Sequence, residues 1–153
     1  MKILTGDMFE SKMQTLINPV NCVGVIGKGL ALEFKQRFPY MFREYVRKCA
    51  LGGVRLGFPY IYVFLFKSNI LNFPTKNHWK DVSKIEDIEA GLDYLVDHYK
   101  NWGVVSLAIP ALGCGYGGLK WEAVSPLIYK AAKQMDIPIE IYAPVGTERS
   151  ADQ

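Results

Sequence analysis

Short apolar runs alternate along this chain with stretches of helical periodicity, and that alternation limits the fold more than any other feature. "KILTGD" reads as a short strand closed by a glycine turn, and "QTLINPVN" as a second strand with Leu16 and Ile17 at its apolar centre. Leu30, Phe34 and Phe38 then recur at helical spacing, and Pro39 ends that helix or opens the next. The nearly continuous aromatic and β-branched run "YIYVFLF" predicts a strand covered on both faces, and "NILNF" a short strand after it. From Ser83 a long amphipathic helix is expected, with Ile85, Ile88, Leu92 and Leu95 on one face and Gly103 as its stop. Ser83 and Glu86 have the spacing of a capping box at its start. "VVSLAIPA" reads as a buried strand, "WEAVSPLIYKAAKQM" as a helix and "IPIEIYAP" as the last strand. Strands alternating with helices in this way point to an α/β domain of three layers, α/β/α, around a mixed, largely parallel central sheet.

With 153 residues the chain has the size of one domain, large enough to bury a core without help from a disulfide or a metal. The domain is expected over residues 1–145, and the tail from 146 to 153, without apolar periodicity, as a flexible end or linker. No apolar run approaches the roughly 20 residues of a membrane span, and "MKILTGD" lacks the apolar stretch of a secretory signal, so a soluble cytoplasmic protein is expected. Cys22, Cys49 and Cys114 are too few and too scattered for a metal knuckle, and their odd number suits a reducing compartment. A formal charge of +3 permits an anionic ligand or nucleic acid without demanding either.

In such sheets, ligands bind beyond the carboxyl ends of the strands. Two of the loops expected there are rich in glycine. "NCVGVIGKG", Asn21 to Gly29, runs into a helix whose free amides favour an anion such as pyrophosphate. "GCGYGG", Gly113 to Gly118, has four glycines in six residues and exposes successive amides as an anion nest. Either loop alone reads equally well as a tight turn; two on one sheet edge would clamp a diphosphate from both sides. Neither has the spacing of a P-loop or a dinucleotide fingerprint, which counts against nucleotide hydrolysis and hydride transfer.

The third unusual segment is "NFPTKNHWK", which sets Lys76 between an apolar strand and a helix cap. An amine there, partly desolvated by Phe73, Pro74 and Trp79, could attack an electrophilic carbon or, as a cation, stabilise moving charge. A solvated turn lysine would have the same sequence. His78 could orient Lys76, contact a base or relay a proton, or simply hold a backbone partner. Trp79 could stack on a base but beside a helix start reads more readily as core, and His98 as a surface residue.

Taken in order, "GD" after the first strand, "INPVNCVGVIGKGLALEFK", "LNFPTKNHW" with "IEDIEAGL", and "IPALGCGYGGLKW" resemble the macrodomain family over Met1 to Tyr142. The nearest likeness is to the DarG branch, the DNA ADP-ribosyl glycohydrolases related to terminal ADP-ribose protein glycohydrolase. That resemblance implies a macrodomain fold with ADP-ribose as ligand and product, and no cofactor or metal. It also implies a substrate of ADP-ribosylated single-stranded DNA, modified on thymidine by a DarT-type toxin that is itself a candidate partner.

The resemblance places Asp7 and the Met8 backbone at the adenine, Asn21 at the distal ribose, and Gly27, Lys28, Gly29 and Leu30 on one side of the phosphates. Pro110, Leu112, Gly113, Cys114, Gly115, Tyr116 and Gly117 fall on the other side, Tyr116 close to the ribose. Thr75 falls beside Lys76, which matches the branch's catalytic lysine. Where the protein glycohydrolase has an assisting aspartate, this chain has Gly117. Lys28, Lys80 and Lys120 border the loops and are candidates for contact with the strand. The other readings of the same family features are an ADP-ribose-binding module without turnover and a hydrolase of O-acyl-ADP-ribose or ADP-ribose 1″-phosphate.

Overall fold

The computed structural model describes residues 1–146. The expected tail lies outside them except for Gly146. Six strands, β1 (Lys2–Leu4), β2 (Thr15–Asn21), β3 (Tyr60–Tyr62), β4 (Asn69–Lys76), β5 (Leu107–Ile109) and β6 (Ile139–Tyr142), form one sheet in the order β1-β6-β5-β2-β4-β3. Every neighbouring pair is parallel except β3 against β4. Four helices complete the fold: α1 (Gly29–Arg37), α2 (Pro39–Ala50), α3 (Ile85–His98) and α4 (Trp121–Lys133).

The layers follow from the period-2 alternation of the two central strands. Leu16 and Val20 of β2 and Ile70 of β4 pack with Phe34, Met41 and Tyr45 under α1 and α2. Ile17, Leu71 and Phe73 point the other way, into a core with Ile88, Leu92 and Leu95 of α3 and Val124 and Ile128 of α4. Each such side chain, wholly buried, stabilises the fold by about 1.5–3 kcal/mol before entropy is counted. α3 comes close enough to the sheet that a Cβ on Gly91 would stand 2.4 Å from the Phe73 ring, so the glycine sets the helix-to-strand distance.

Several boundaries differ from the sequence expectation. β4 does not stop at "NILNF" but continues through Phe73, Pro74 and Thr75, so Lys76 is the last residue of a buried strand and not part of a turn. Pro74 opposes Val20, and the register shifts immediately afterwards, between Val20 and Asn21. An irregularity of this kind is where a strand tolerates a residue without an N–H. It also brings Lys76 directly opposite Asn21.

"YIYVFLF" supplies only the three-residue edge strand β3; Val63, Leu65 and Phe66 are exposed, so the run is not covered on both faces. "VVSLAIPA" contributes only Leu107–Ile109. The capping box does not form. The residue capping α3 is Lys84, without a side-chain bond, while Ser83 is buried and its amide donates to the Gly117 carbonyl. α3 ends at His98, and Gly103 lies in the following turn. The ring of His98 is half-buried, stacked 3.8 Å from that of Tyr94 and also against Trp102. Among the described residues no helix is long and apolar enough to cross a membrane.

Candidate functional site

The carboxyl ends of β2, β4, β5 and β6 open on one sheet edge, and a cleft of about 930 Å³ lies across them. Of the residues expected at the site, Asp7, Met8, Asn21, Gly27 to Leu30, Thr75, Lys76, Pro110 and Gly113 to Gly117 all line it. Two do not. Leu112 is wholly buried in the α3 and α4 core, because the chain turns inward between Pro110 and Gly113. His78 is spent on the turn after β4: its Nδ1 accepts from the Lys80 amide at 3.1 Å, and its own amide donates to Asp81 at 3.0 Å.

The first glycine loop is organised by Asn21. Its Oδ1 accepts from the amides of Val23 and Gly24, and its Nδ2 donates to the Val25 carbonyl. The buried hydroxyl of Tyr45, with one proton for two acceptors, lies 2.9 Å from the Asn21 carbonyl and 2.8 Å from Oδ1. The chain then enters α1 at Lys28, which caps the helix without a side-chain bond, and the first-turn amides, at the cleft, have no acceptor among the described residues. Gly29 has φ +70°, and a Cβ there would come within 3.2 Å of the Tyr116 ring, so glycine is needed on both counts.

The second loop approaches from the other side. The amides of Gly115 and Tyr116 have no acceptor among the described residues, and successive amides of this kind can cradle an anion. The Tyr116 ring is 63% exposed, and the Lys28 ammonium lies 4.3 Å above it, so the two loops meet over the cleft. Gly117 is buried with no room for a side chain: a Cβ there would stand 2.6 Å from Ser83 Oγ. At the third position Asp7 caps a short turn, its Oδ1 accepting from the Phe9 amide at 2.9 Å, while its residue lines the cleft below the β1 end.

Lys76 stands where these parts converge. Its Nζ lies 3.4 Å from the Tyr116 carbonyl. Partial burial pulls its pKa below the ordinary lysine value, and the Lys28 ammonium pulls it the same way, while Asp81 opposes them. A lysine held like this is more readily a neutral amine than one in water. The thiols give no rival nucleophile, since burial pushes Cys22 and Cys114 up to about 11 and leaves both protonated at neutral pH. Among the described residues no group of three or more His, Cys, Asp or Glu is placed to hold a metal.

Sequence reasoning missed two parts of the site. Trp79, read more readily as core than as a stacking residue, is 41% exposed and lines the cleft. Tyr142 to Val145 also line it, at the end of β6; the rule that directed attention to the ends of the other strands applies equally to "IYAPV", which lacks only the glycines that drew notice elsewhere.

Comparison with known proteins gives the family and the fold. The family model described as macro domain matches residues 17–128. The chain is 42% identical over 163 residues to a DNA ADP-ribosyl transferase-DNA ADP-ribosyl glycohydrolase fusion protein of Thermosipho africanus, covering 95% of this chain and 42% of that protein. The solved macrodomain of Mycobacterium tuberculosis DarG superposes with a TM-score of 0.88 at 40% identity, covering 93% of this chain and 97% of that one. Thermosipho africanus DarTG in complex with ADP-ribose gives 0.89 at 43% identity, over 94% of this chain and 41% of that one. The chain thus spans less than half the length of the curated DNA-acting relatives it matches.

Proposed function

This chain belongs to the macrodomain family, and on that footing we propose that it removes single ADP-ribose units from DNA bases, thymidine in single strands, and so reverses the modification made by a DarT-type toxin. The observation that carries this reading is the place of Lys76: end of β4, opposite Asn21, on the Tyr116 carbonyl and inside the cleft that the two glycine loops close.

ADP-ribose fits the cleft in kind. The first-turn amides of α1 and the Gly115 and Tyr116 amides supply donors for a diphosphate from two sides, with Lys28 adding charge. Asp7 has a carboxylate oxygen left over for the amino group of adenine, and Asn21 one N–H left over for the distal ribose. In this reading the distal ribose turns its anomeric carbon to Lys76, which lies opposite Asn21.

The neutral amine of Lys76 attacks that carbon. The bond from carbon to the base nitrogen breaks, the base takes up one proton, and water then hydrolyses the ribosyl–lysine adduct to free ADP-ribose and lysine. No carboxylate assists from position 117, where a glycine stands with no space for one. This sets the site apart from a route that needs two residues and disfavours protein glutamate and aspartate esters as substrates of that route. The same reading makes a DarT-type toxin a partner of the protein and the cytoplasm its compartment.

The test is incubation of the protein and of Lys76→Ala with a thymidine-ADP-ribosylated oligonucleotide, followed by gel shift. Release by the wild type and not by the variant is expected. Binding of ADP-ribose without release by either would make the chain a reading module, and release from O-acyl-ADP-ribose or ADP-ribose 1″-phosphate alone would move it to the deacylase and phosphatase side of the family.

A further inference from the structure

Two exposed aromatic rings line the cleft that holds Lys76, and the ADP-ribose reading uses only one of them. Tyr116 lies against Gly29 and beneath Lys28, between the two phosphate-side loops. Trp79 is three residues beyond Lys76, on the turn that follows β4, and lines the same cleft without being given a role by that reading. An indole is a costly group to leave in water, and this one keeps 41% of its surface exposed.

The ring is exposed but its backbone is pinned. Asn77, at the start of the turn, accepts from the Cys22 amide at 2.8 Å, which ties it to the first glycine loop. The Asp81 carboxylate accepts from the His78 amide, the Asp81 amide donates to the His78 carbonyl, and the His78 ring accepts from the Lys80 amide. The His78 ring lies 5.3 Å from the Trp79 ring at 30°, and the Lys80 ammonium lies over the indole face, 5.0 Å from its centre. A base that takes the place of the Lys80 ammonium on this exposed ring sends the cation to the neighbouring phosphate, and a base on an aromatic ring with a phosphate on a cation is how proteins bind single-stranded nucleic acid.

We infer that Trp79 is a stacking platform for an unpaired nucleobase of the strand whose modified base is cut at Lys76, and that Lys80 meets the phosphate next to it. The inference rests on the DNA reading above and extends it: Trp79 sorts single-stranded nucleic acid from other carriers of the same ADP-ribose. Base stacking on an aromatic contributes about 1–3 kcal/mol, which is roughly 5- to 150-fold in affinity. Lys80 contributes about one unit of the salt dependence.

The test measures fluorescence anisotropy of a labelled thymidine-ADP-ribosylated oligonucleotide on Lys76→Ala, with and without Trp79→Ala, beside calorimetric binding of free ADP-ribose to the same proteins. Trp79→Ala is expected to weaken the oligonucleotide roughly tenfold or more and to move ADP-ribose less than about threefold, which also shows that the variant is folded. Trp79→Phe restores most of the loss, and annealing a complementary strand removes the advantage. An unchanged oligonucleotide affinity overturns the platform; equal loss of both ligands also overturns it, by placing Trp79 on the ADP-ribose. If Lys76→Ala itself releases ADP-ribose, the catalytic reading of Lys76 falls, and the platform is still read as the effect of Trp79→Ala on KM for that release.

Discussion

The side-chain nitrogen of Lys76 reaches across the cleft to within 3.4 Å of the backbone carbonyl oxygen of Tyr116, joining the end of β4 to the second glycine loop. The contact fixes where the amine points without neutralising it, since a carbonyl carries no full charge. Replacing Lys76 should therefore remove the chemistry and leave the cleft. We expect Lys76→Ala to lower single-turnover release from a thymidine-ADP-ribosylated oligonucleotide by roughly 10³-fold or more, with ADP-ribose still bound. Lys76→Arg, which keeps the charge and loses the nucleophile, should be equally inactive; activity in that variant would mean that the charge, not the amine, is what matters.

The pH dependence follows from the sign of the Lys76 shift. On the proposed attack by the neutral amine, kcat should rise with pH, half-way up at the pKa of Lys76 and level above it, and burial and Lys28 hold that pKa below the ordinary lysine value of 10.5. Removing the like charge in Lys28→Ala lets the ammonium persist and moves the rising limb to higher pH, while Asp81→Asn removes the opposing pull and moves it lower. A limb that falls with pH would assign the work to the ammonium.

Tyr45 supports the site from beneath. Its hydroxyl proton is shared between the backbone and side-chain oxygens of Asn21, in a buried spot closed to water. Tyr45→Phe removes one donor from Asn21, whose Oδ1 keeps the Val23 and Gly24 amides, at a cost of about 1 kcal/mol, to be read as a lower urea midpoint at unchanged slope. Because Asn21 shapes the first loop, weaker ADP-ribose binding should accompany it.

The three-layer architecture was legible because strand and helix periods differ, and the two glycine loops were legible because φ > 0 and close approach require glycine. What sequence could not carry depends on tertiary partners. "NFPTK" contains a proline, which argues locally for a break, yet a register shift in β2 and cover on both faces keep the strand going to Lys76. Ser83 and Glu86 have capping-box spacing, yet Ser83 is drawn under Gly117, and the cap falls to Lys84. Trp79 has the composition of a core residue and ends on the surface because the turn after β4 points it into the cleft. Leu112, amid residues that line the cleft, turns into the core.

Gly91 allows α3 to lie on the strand that presents Lys76. In Gly91→Ala the added methyl meets Phe73 Cζ at 2.4 Å and two further ring atoms at 2.8 and 3.0 Å, and the ring itself is wholly buried with nowhere to retreat. The helix gains about 1 kcal/mol in propensity, but overpacking of this kind costs about 1–3 kcal/mol and shifts the backbone. We expect a net loss of stability, seen as a melting temperature lower by a few degrees, roughly 2–4 °C per kcal/mol for a chain of this size. A variant as stable as the parent would mean that α3 is free to move off the sheet.

Gly117 and Ser83 should be energetically coupled. The Ser83 hydroxyl is buried without a hydrogen-bond partner among the described residues, and it occupies the space a side chain at 117 would need. Ser83→Ala removes an unsatisfied polar group and should be neutral or stabilising by about 1 kcal/mol. Gly117→Ala drives a methyl to 2.6 Å from that hydroxyl and 3.3 Å from the serine Cβ, and should destabilise by about 1–3 kcal/mol. In the double variant the hydroxyl clash is gone and only the tighter Cβ contact remains, so a double-mutant cycle by denaturant unfolding should return a favourable coupling of about 0.5–3 kcal/mol. Because Gly117 follows the carbonyl that receives Lys76, release of ADP-ribose should fall in Gly117→Ala and recover in part when Ser83→Ala is added. Independent effects of the two substitutions would mean that the loop moves as a body and that Ser83 does not set its position.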